Sequence, residues 1–103
     1  HHVRIAEVVN IARALETLKQ AGVWTLGLDA GAEMPYYEWD LTLPTALVVG
    51  AEGRGLRRLV RERCDRLTRI PMRGHVESLN VSAAAAIVLY EAVRQRSRGR
   101  PGA

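Results

Sequence analysis

The run TALVVG, Thr45 to Gly50, is short, continuously apolar and stopped by a glycine. It constrains the fold more than any other stretch of the chain. A strand with one face in water alternates apolar and polar residues, whereas a run without alternation is the kind buried on both faces in a parallel sheet. Parallel strands cannot be joined by tight hairpins, so such a sheet needs other elements between its strands.

The rest of the chain supplies them. From Arg4 to Ala21, Ile5, Val8, Val9, Ala12, Leu15 and Leu18 form a helical stripe, with Gly22 at the C-terminal cap position. VWTLGLDA, Val23 to Ala30, reads as a strand and Gly31 to Pro44 as an irregular connection with short pieces of structure. After TALVVG a helix carries Leu56, Leu59 and Val60 on one side and arginines on the other. RLTRIPM, Arg66 to Met72, is the third strand, halted by Pro71. The longest helix is expected over Val81 to Arg96, with Asn80 or Ser78 available to cap it.

That last helix is apolar on nearly every side. Val81, Ala84, Ala85, Val88, Leu89, Ala92 and Val93 make one stripe, and Ala83, Ala86, Ile87 and Tyr90 extend it around the axis. It must be covered from two directions, either as a central core helix or at a subunit interface. The alternation of helix and strand predicts an α/β fold with a parallel sheet and flanking helices. One domain spans residues 1–96, and 97–103, SRGRPGA, reads as a disordered basic tail.

In a parallel sheet the loops after Asp29, Gly50 and Met72 leave from one edge, the edge where open α/β sheets bind ligands. The loop after Gly50 joins a strand to a helix through glycines, as phosphate-binding loops do. Gly50 and Gly55 have the P-loop spacing, but Leu56 and Arg57 stand where Lys and Ser or Thr are required. Gly53 and Gly55 begin a dinucleotide fingerprint, but Arg58 takes the place of its third glycine. Glu52 inside the loop would repel phosphates. The ligand is therefore not expected to be an oligophosphate.

Composition excludes other classes. Cys64 is the only cysteine, so there is no internal disulfide and no thiol cluster, and His1, His2 and His75 lack ligand spacing. No metal site is expected. No apolar run approaches a membrane span and no signal-peptide layout is present, which predicts a cytoplasmic protein. The formal net charge is +4, and between Arg54 and Arg73 lie Arg57, Arg58, Arg61, Arg63, Arg66 and Arg69 against only Glu62 and Asp65. This excess is either a solvated face or a polyanion-binding surface.

Taken together, LVVGAEGRGL, RIPM and VESLNVSAAAAIVLYEAVRQR resemble the last two signature motifs of the SpoU, or TrmH-like, branch of the SPOUT RNA methyltransferases, in order and at the family's spacing. The resemblance runs from Val3 to Arg96. VVNIARALETLKQAGVWTLGLDA is further similar to the bacterial members that 2′-O-methylate a guanosine of large-subunit ribosomal RNA. The resemblance implies a C-terminal deep trefoil knot, a homodimer packed through the knotted region and its C-terminal helix, and S-adenosyl-L-methionine held in a bent form by loop backbone groups. The glycines then admit an adenosine and a methionine tail, with no phosphate for Glu52 to repel.

By residue match, the resemblance places cofactor contacts on Gly50, Ile70, Met72 and Leu79, with neighbours of Gly27 beside them. Glu52, Ser78 and Asn80 match polar active-site positions. The family's first motif, whose Asn and Arg act on the ribose hydroxyl, precedes the matched region. The chain therefore corresponds to the C-terminal portion of a longer methyltransferase. Its substrate is expected to be ribosomal RNA, with transfer RNA as the competing class and a non-catalytic knotted RNA- or cofactor-binding module as the alternative. Arg54, Arg58 and Arg61 are the candidate RNA contacts. Capping remains open beside catalysis for Glu52, Ser78 and Asn80, since a loop carboxylate suits the start of a helix at Gly55 and Ser or Asn suits the start of the last helix.

Overall fold

Asn10 decides where the first helix begins. Its backbone is extended, at φ −112° and ψ 91°, and its side chain accepts a hydrogen bond from Arg13 N at 3.1 Å. The short Asn side chain thus satisfies an N–H that the first turn leaves unpaired. Helix α1 accordingly spans Ile11–Gln20 rather than starting at Arg4. The computed structural model describes residues 10–50, 56–71 and 81–98, so Ile5, Val8 and Val9 lie outside the described residues. At the other end Gly22 takes φ +80°, Gly22 N donates to Lys19 O at 3.1 Å and Val23 N to Leu18 O at 2.9 Å. This pair of bonds is a Schellman cap, which needs the left-handed residue that glycine supplies without strain.

Strands β1 (Trp24–Leu28), β2 (Thr45–Val48) and β3 (Arg66–Thr68) form one parallel sheet in the order β2-β1-β3. β1 pairs with β2 from Trp24↔Thr45 to Gly27↔Val48 and with β3 from Leu26↔Arg66 to Leu28↔Thr68. The α/β architecture expected from the sequence is therefore present. β2, however, is an outer strand: Val48 is 7% exposed, while Thr45, Ala46 and Leu47 are only partly buried. Full burial falls to the central β1, where Thr25 and Leu26 are both 0% exposed.

The pleat sorts the side chains into two layers. On one face Val48, Leu67 and the backbone of Gly27 meet α1 through Leu15 and Ile11, and meet Leu56, Val60 and Cys64 around helix α2 (Arg58–Arg63). A Cβ on Gly27 would lie 2.8 Å from both Leu56 Cδ1 and Leu67 Cδ2 and 2.9 Å from Cys64 Sγ, so a bare backbone is what lets this layer close. On the other face Leu47 and Ile70 pack with Leu41, Tyr36 and Trp39 against Val88 and Ala92 of helix α3 (Val81–Arg98). A fully buried Val or Leu of this kind contributes about 1.5–3 kcal/mol.

Two helices depart from expectation. α2 starts at Arg58 with Arg57 at the cap position, three residues after Gly55. Leu56 therefore enters the core from the preceding segment, while Leu59 is 67% exposed and does not join Val60 on the apolar side. α3 continues to Arg98, two residues past Arg96. Ala84, Ala85, Val88 and Ala92 are buried, whereas Leu89, Tyr90 and Val93 stand 43%, 75% and 54% exposed. Of the two covers that an all-round apolar helix needs, the described residues provide one. The segments that would close the expected knot include 51–55 and 72–80, outside the described residues.

Candidate active site at the carboxyl edge of the sheet

The parallel register brings the carboxyl ends of all three strands to one edge. There Asp29 N donates to Thr68 O at 2.8 Å, carrying the β1–β3 pairing one step past the last paired residues. Gly50, half-buried, follows β2 by two residues, and Ile70, also half-buried, follows β3 by two. These two expected cofactor residues thus share the edge, on either side of the end of β1. Met72 and Leu79, and with them Glu52, Ser78, Asn80 and Arg54, lie outside the described residues.

Ile70 is held from two directions. Its side chain packs on the Leu41, Val88 and Ala92 cluster. Its neighbour Arg69 forms a parallel bridge with Pro35: Arg69 N donates to Met34 O and Tyr36 N to Arg69 O, both at 2.9 Å. Thr68 Oγ1 adds a third bond to Met34 O at 2.8 Å, which satisfies a hydroxyl in a residue of 0% exposure. The β1–β2 connection therefore returns alongside the end of β3, next to Ile70 at the candidate edge. Met34 to Tyr36 were not among the residues expected at the site, because a stretch without periodicity or motif gives no signal of where it lands.

The same connection is gripped farther along by α3. Gln95 Oε1 accepts from Leu41 N at 2.7 Å, and Gln95 Nε2 donates to Trp39 O and to Glu91 Oε2, each at 2.9 Å. Arg96 Nε donates to Leu41 O at 3.1 Å. Glu91 is only 6% exposed and takes two hydrogen bonds from Arg94, Nε to Oε1 at 2.8 Å and Nη2 to Oε2 at 2.7 Å. Those bonds hold the Glu91 carboxyl below its ordinary pKa despite the opposing effect of burial. The available signal was spacing: Glu91, Arg94 and Gln95 stand at i, i+3 and i+4, directly after the apolar stretch Ala83 to Tyr90.

The candidate RNA residues separate. Arg58 is paired along α2 with Glu62 at 3.2 Å, and its side chain is 82% exposed. Arg61 is directed to the sheet edge, 4.0 Å from the Asp29 carboxylate. Leu56, Leu67 and Cys64 close over Gly27 on the face that α1 and α2 cover. Burial, reinforced by the Asp65 charge, raises the Cys64 thiol to about 11, which makes it a packing residue rather than a nucleophile. Among the described residues no three of His, Cys, Asp and Glu gather as a metal site.

The chain matches the family model for the SpoU rRNA Methylase family over residues 1–90. It belongs to that family. It is 52% identical over 98 residues to the 23S rRNA (guanosine-2′-O-)-methyltransferase RlmB of Pseudomonas syringae pv. tomato, covering 95% of this chain and 39% of that protein. It is 58% identical over 90 residues to RlmB of Ralstonia nicotianae, covering 87% of this chain and 36% of that protein. The chain thus spans under two-fifths of these curated relatives.

Solved SpoU structures are similar in fold. The TrmH/SpoU tRNA modifying enzyme of A. aeolicus superposes with a TM-score of 0.79 at 39% identity, over 92% of this chain and 51% of that one. AviRb of Streptomyces viridochromogenes, a SpoU methyltransferase solved in complex with the cofactor AdoMet, gives 0.72 at 38% identity, over 85% of this chain and 36% of that one.

Proposed function

We propose that the protein carrying this chain is an S-adenosyl-L-methionine-dependent RNA ribose 2′-O-methyltransferase whose substrate is a guanosine of large-subunit ribosomal RNA. One observation carries the reading: over most of its length the chain is more than half identical to relatives named for that reaction. The described part of the site suits the cofactor. Gly50 lets ligand approach the backbone, and Ile70 offers an apolar surface fixed on both sides. Neither requires the cationic cradle of an oligophosphate.

In this reading residues 1–96 are the C-terminal portion of the methyltransferase domain, which the chain closes into a deep trefoil knot. Gly50, Ile70, Met72 and Leu79 hold the cofactor, which supplies a methyl group on a sulfonium. Glu52, Ser78 and Asn80 orient the ribose, and a base from the preceding portion takes the 2′-hydroxyl proton. Transfer from a sulfonium neutralises its charge, so placement and exclusion of water matter more here than an oxyanion hole. The enzyme works as a cytoplasmic homodimer through α3. Exposed Leu89, Tyr90 and Val93 support that interface, at i, i+1 and i+4 on a helix already buried on its other side.

The test uses the full-length protein with labelled S-adenosyl-L-methionine and either 23S ribosomal RNA or transfer RNA, followed by mapping of the 2′-O-methyl group. Methylation of one 23S guanosine is expected. Modification of transfer RNA alone replaces the substrate, and RNA binding without methyl transfer replaces the enzyme by a binding module. A Gly50→Val change is expected to abolish cofactor binding measured by calorimetry. Sedimentation is expected to show a dimer that Tyr90→Asp weakens.

A further inference from the structure

We propose that Gln95 is a positioning residue for the cofactor site, acting through the β1–β2 connection; the proposal rests on the reading of Gly50 and Ile70 as cofactor contacts. Gln95 lies far along α3, in the segment that the dimer reading assigns to subunit contact, yet its amide is turned inward and bound to main chain. Its oxygen accepts from Leu41 N at 2.7 Å and its nitrogen donates to Trp39 O at 2.9 Å, so one planar group holds both sides of Asp40. A longer contact from the same nitrogen to Tyr37 O, 3.4 Å, reaches the short 3-10 turn Tyr36–Glu38.

The amide is itself aimed. Glu91 Oε2 accepts from Gln95 Nε2, and Arg94 holds the Glu91 carboxylate through both its oxygens. This fixes which end of the Gln95 amide faces Leu41 N, since only the oxygen can accept and only the nitrogen can donate to Glu91. From the gripped segment the path to the site is short and continuous. Tyr36 N is bonded to Arg69 O, Met34 O to Arg69 N, and Ile70 is the next residue, packed against the buried cluster to which Leu41 belongs.

The connection contains neither a full helix nor a strand: its first half is tied to the end of β3 by the Pro35–Arg69 bridge and short turn bonds. Side chains of α3 add the grip on its second half, at Trp39 and Leu41. Releasing Leu41 and Trp39 frees Tyr36 and Ile70 to shift, and a pocket wall displaced by a fraction of an ångström loses contact with its ligand while catalytic groups on other loops stay in place.

The experiment compares wild type, Gln95→Ala, Gln95→Glu and Gly50→Val in the full-length methyltransferase. Cofactor affinity is read by calorimetry with S-adenosyl-L-methionine, and KM for cofactor, KM for RNA and kcat are read separately. Gln95→Ala is expected to raise the cofactor Kd and KM about tenfold, the scale of one or two lost hydrogen bonds, with KM for RNA unchanged. Gln95→Glu keeps the acceptor for Leu41 N but loses the donor to Trp39 O and sets a second carboxylate beside Glu91; it is expected to fall between wild type and Gln95→Ala. It also provides the answer if Gln95→Ala does not fold. Cofactor affinity within twofold of wild type in the folded Gln95 variants, with only the melting temperature lowered, overturns the proposal and leaves Gln95 a stabilising residue. If Gly50→Val also binds cofactor normally, the pocket itself has been misassigned and both readings fall. If Gly50→Val abolishes binding while the Gln95 variants retain it, the pocket stands and the positioning role alone is lost.

Discussion

The two faces of the sheet are held by different kinds of interaction. Beneath β1 the layer closes by shape: Leu56, Cys64 and Leu67 fill the space over Gly27 and pack in one cluster with Leu15 of α1 and Val60 of α2. Above it, α3 holds an irregular connection by direction, through Gln95 and Arg96 bonded to its main chain and Glu91 bonded to Gln95. Apolar packing penalises any added volume but tolerates sliding, whereas hydrogen bonds to backbone specify position. The face that borders the candidate cofactor wall is the one fixed by direction.

The most severe way to break this difference is to fill the close contact. Gly27→Val places methyl groups where three side-chain atoms already stand within 3 Å of a bare Cβ, and is expected to cost about 3 kcal/mol or more. The denaturant midpoint checks it. A partner change that makes room, Leu67→Ala, is expected to return part of the loss in the double variant, because the two sites share one space. Independent, additive losses would mean that Gly27 serves a backbone role instead.

Cys64 reports on the same face. With its thiol raised to about 11, the reactive thiolate is scarce near neutrality, and alkylation by iodoacetamide at pH 8 is expected to run roughly a hundredfold slower than for an unfolded cysteine. Mass spectrometry of timed samples measures this directly. The sign also sets a stability trend: the unfolded thiol ionises first, so the contribution of this group is intact below its unfolded pKa and declines as pH rises toward the folded value. Labelling at the unfolded rate would show that the α1–α2 layer opens readily.

On the opposite face Glu91 provides the matching probe. Its hydrogen bonds from Arg94 lower its pKa, so its contribution is complete above the ordinary glutamate range and is lost as pH falls through the lowered folded value. Glu91→Gln is expected to cost about 1 kcal/mol at neutral pH, the scale of a charge-assisted hydrogen bond, and the gap from wild type should close in acid. Thermal melts from pH 7 down to pH 3 test it. A gap independent of pH would mean that shape, not charge, holds this corner.

The same contrast explains what the sequence made legible. Packing leaves periodic traces, so TALVVG, the Leu15 stripe and the Ala84 to Ala92 stripe pointed to a parallel α/β sheet with helices on both sides. Gly22 announced its cap because only a left-handed residue closes that turn. Asn10 did not announce itself as a start, because the apolar period continues through it and a cap acts through one side-chain bond. Leu59 failed for a related reason: with α2 starting at Arg58, Leu56 lies outside the helix, so the i, i+3 spacing that placed Leu59 on its side does not apply. The Gln95 clamp was hidden because it joins residues over fifty positions apart, through backbone atoms that every residue type shares. Of the candidate site, the common edge of Gly50 and Ile70 followed from parallel order alone, and the return of Met34 to Tyr36 alongside the end of β3 did not.

The smallest expected effect on stability separates Arg58 from Arg61 on α2. Arg58 and Glu62 form an exposed i, i+4 pair, so Arg58→Gln should alter stability by no more than about 0.5 kcal/mol. If its guanidinium meets phosphate in the RNA complex, the same change should lower the slope of log affinity against log salt by about one unit while leaving cofactor affinity unchanged. Arg61→Gln differs in kind, because Arg61 stands 4.0 Å from Asp29 at the end of β1, where a lost charge can disturb the cofactor edge as well as the RNA. Measured across salt in the full-length enzyme, Arg58→Gln should move RNA binding alone, and Arg61→Gln should move RNA and cofactor binding together. An unchanged slope for both would leave α2 a solvated face, with RNA gripped by other parts of the enzyme. Cofactor loss from Arg58→Gln would instead mean that the outer side of α2 is coupled to the sheet edge, and that the apolar layer between them transmits position as effectively as the hydrogen-bonded one.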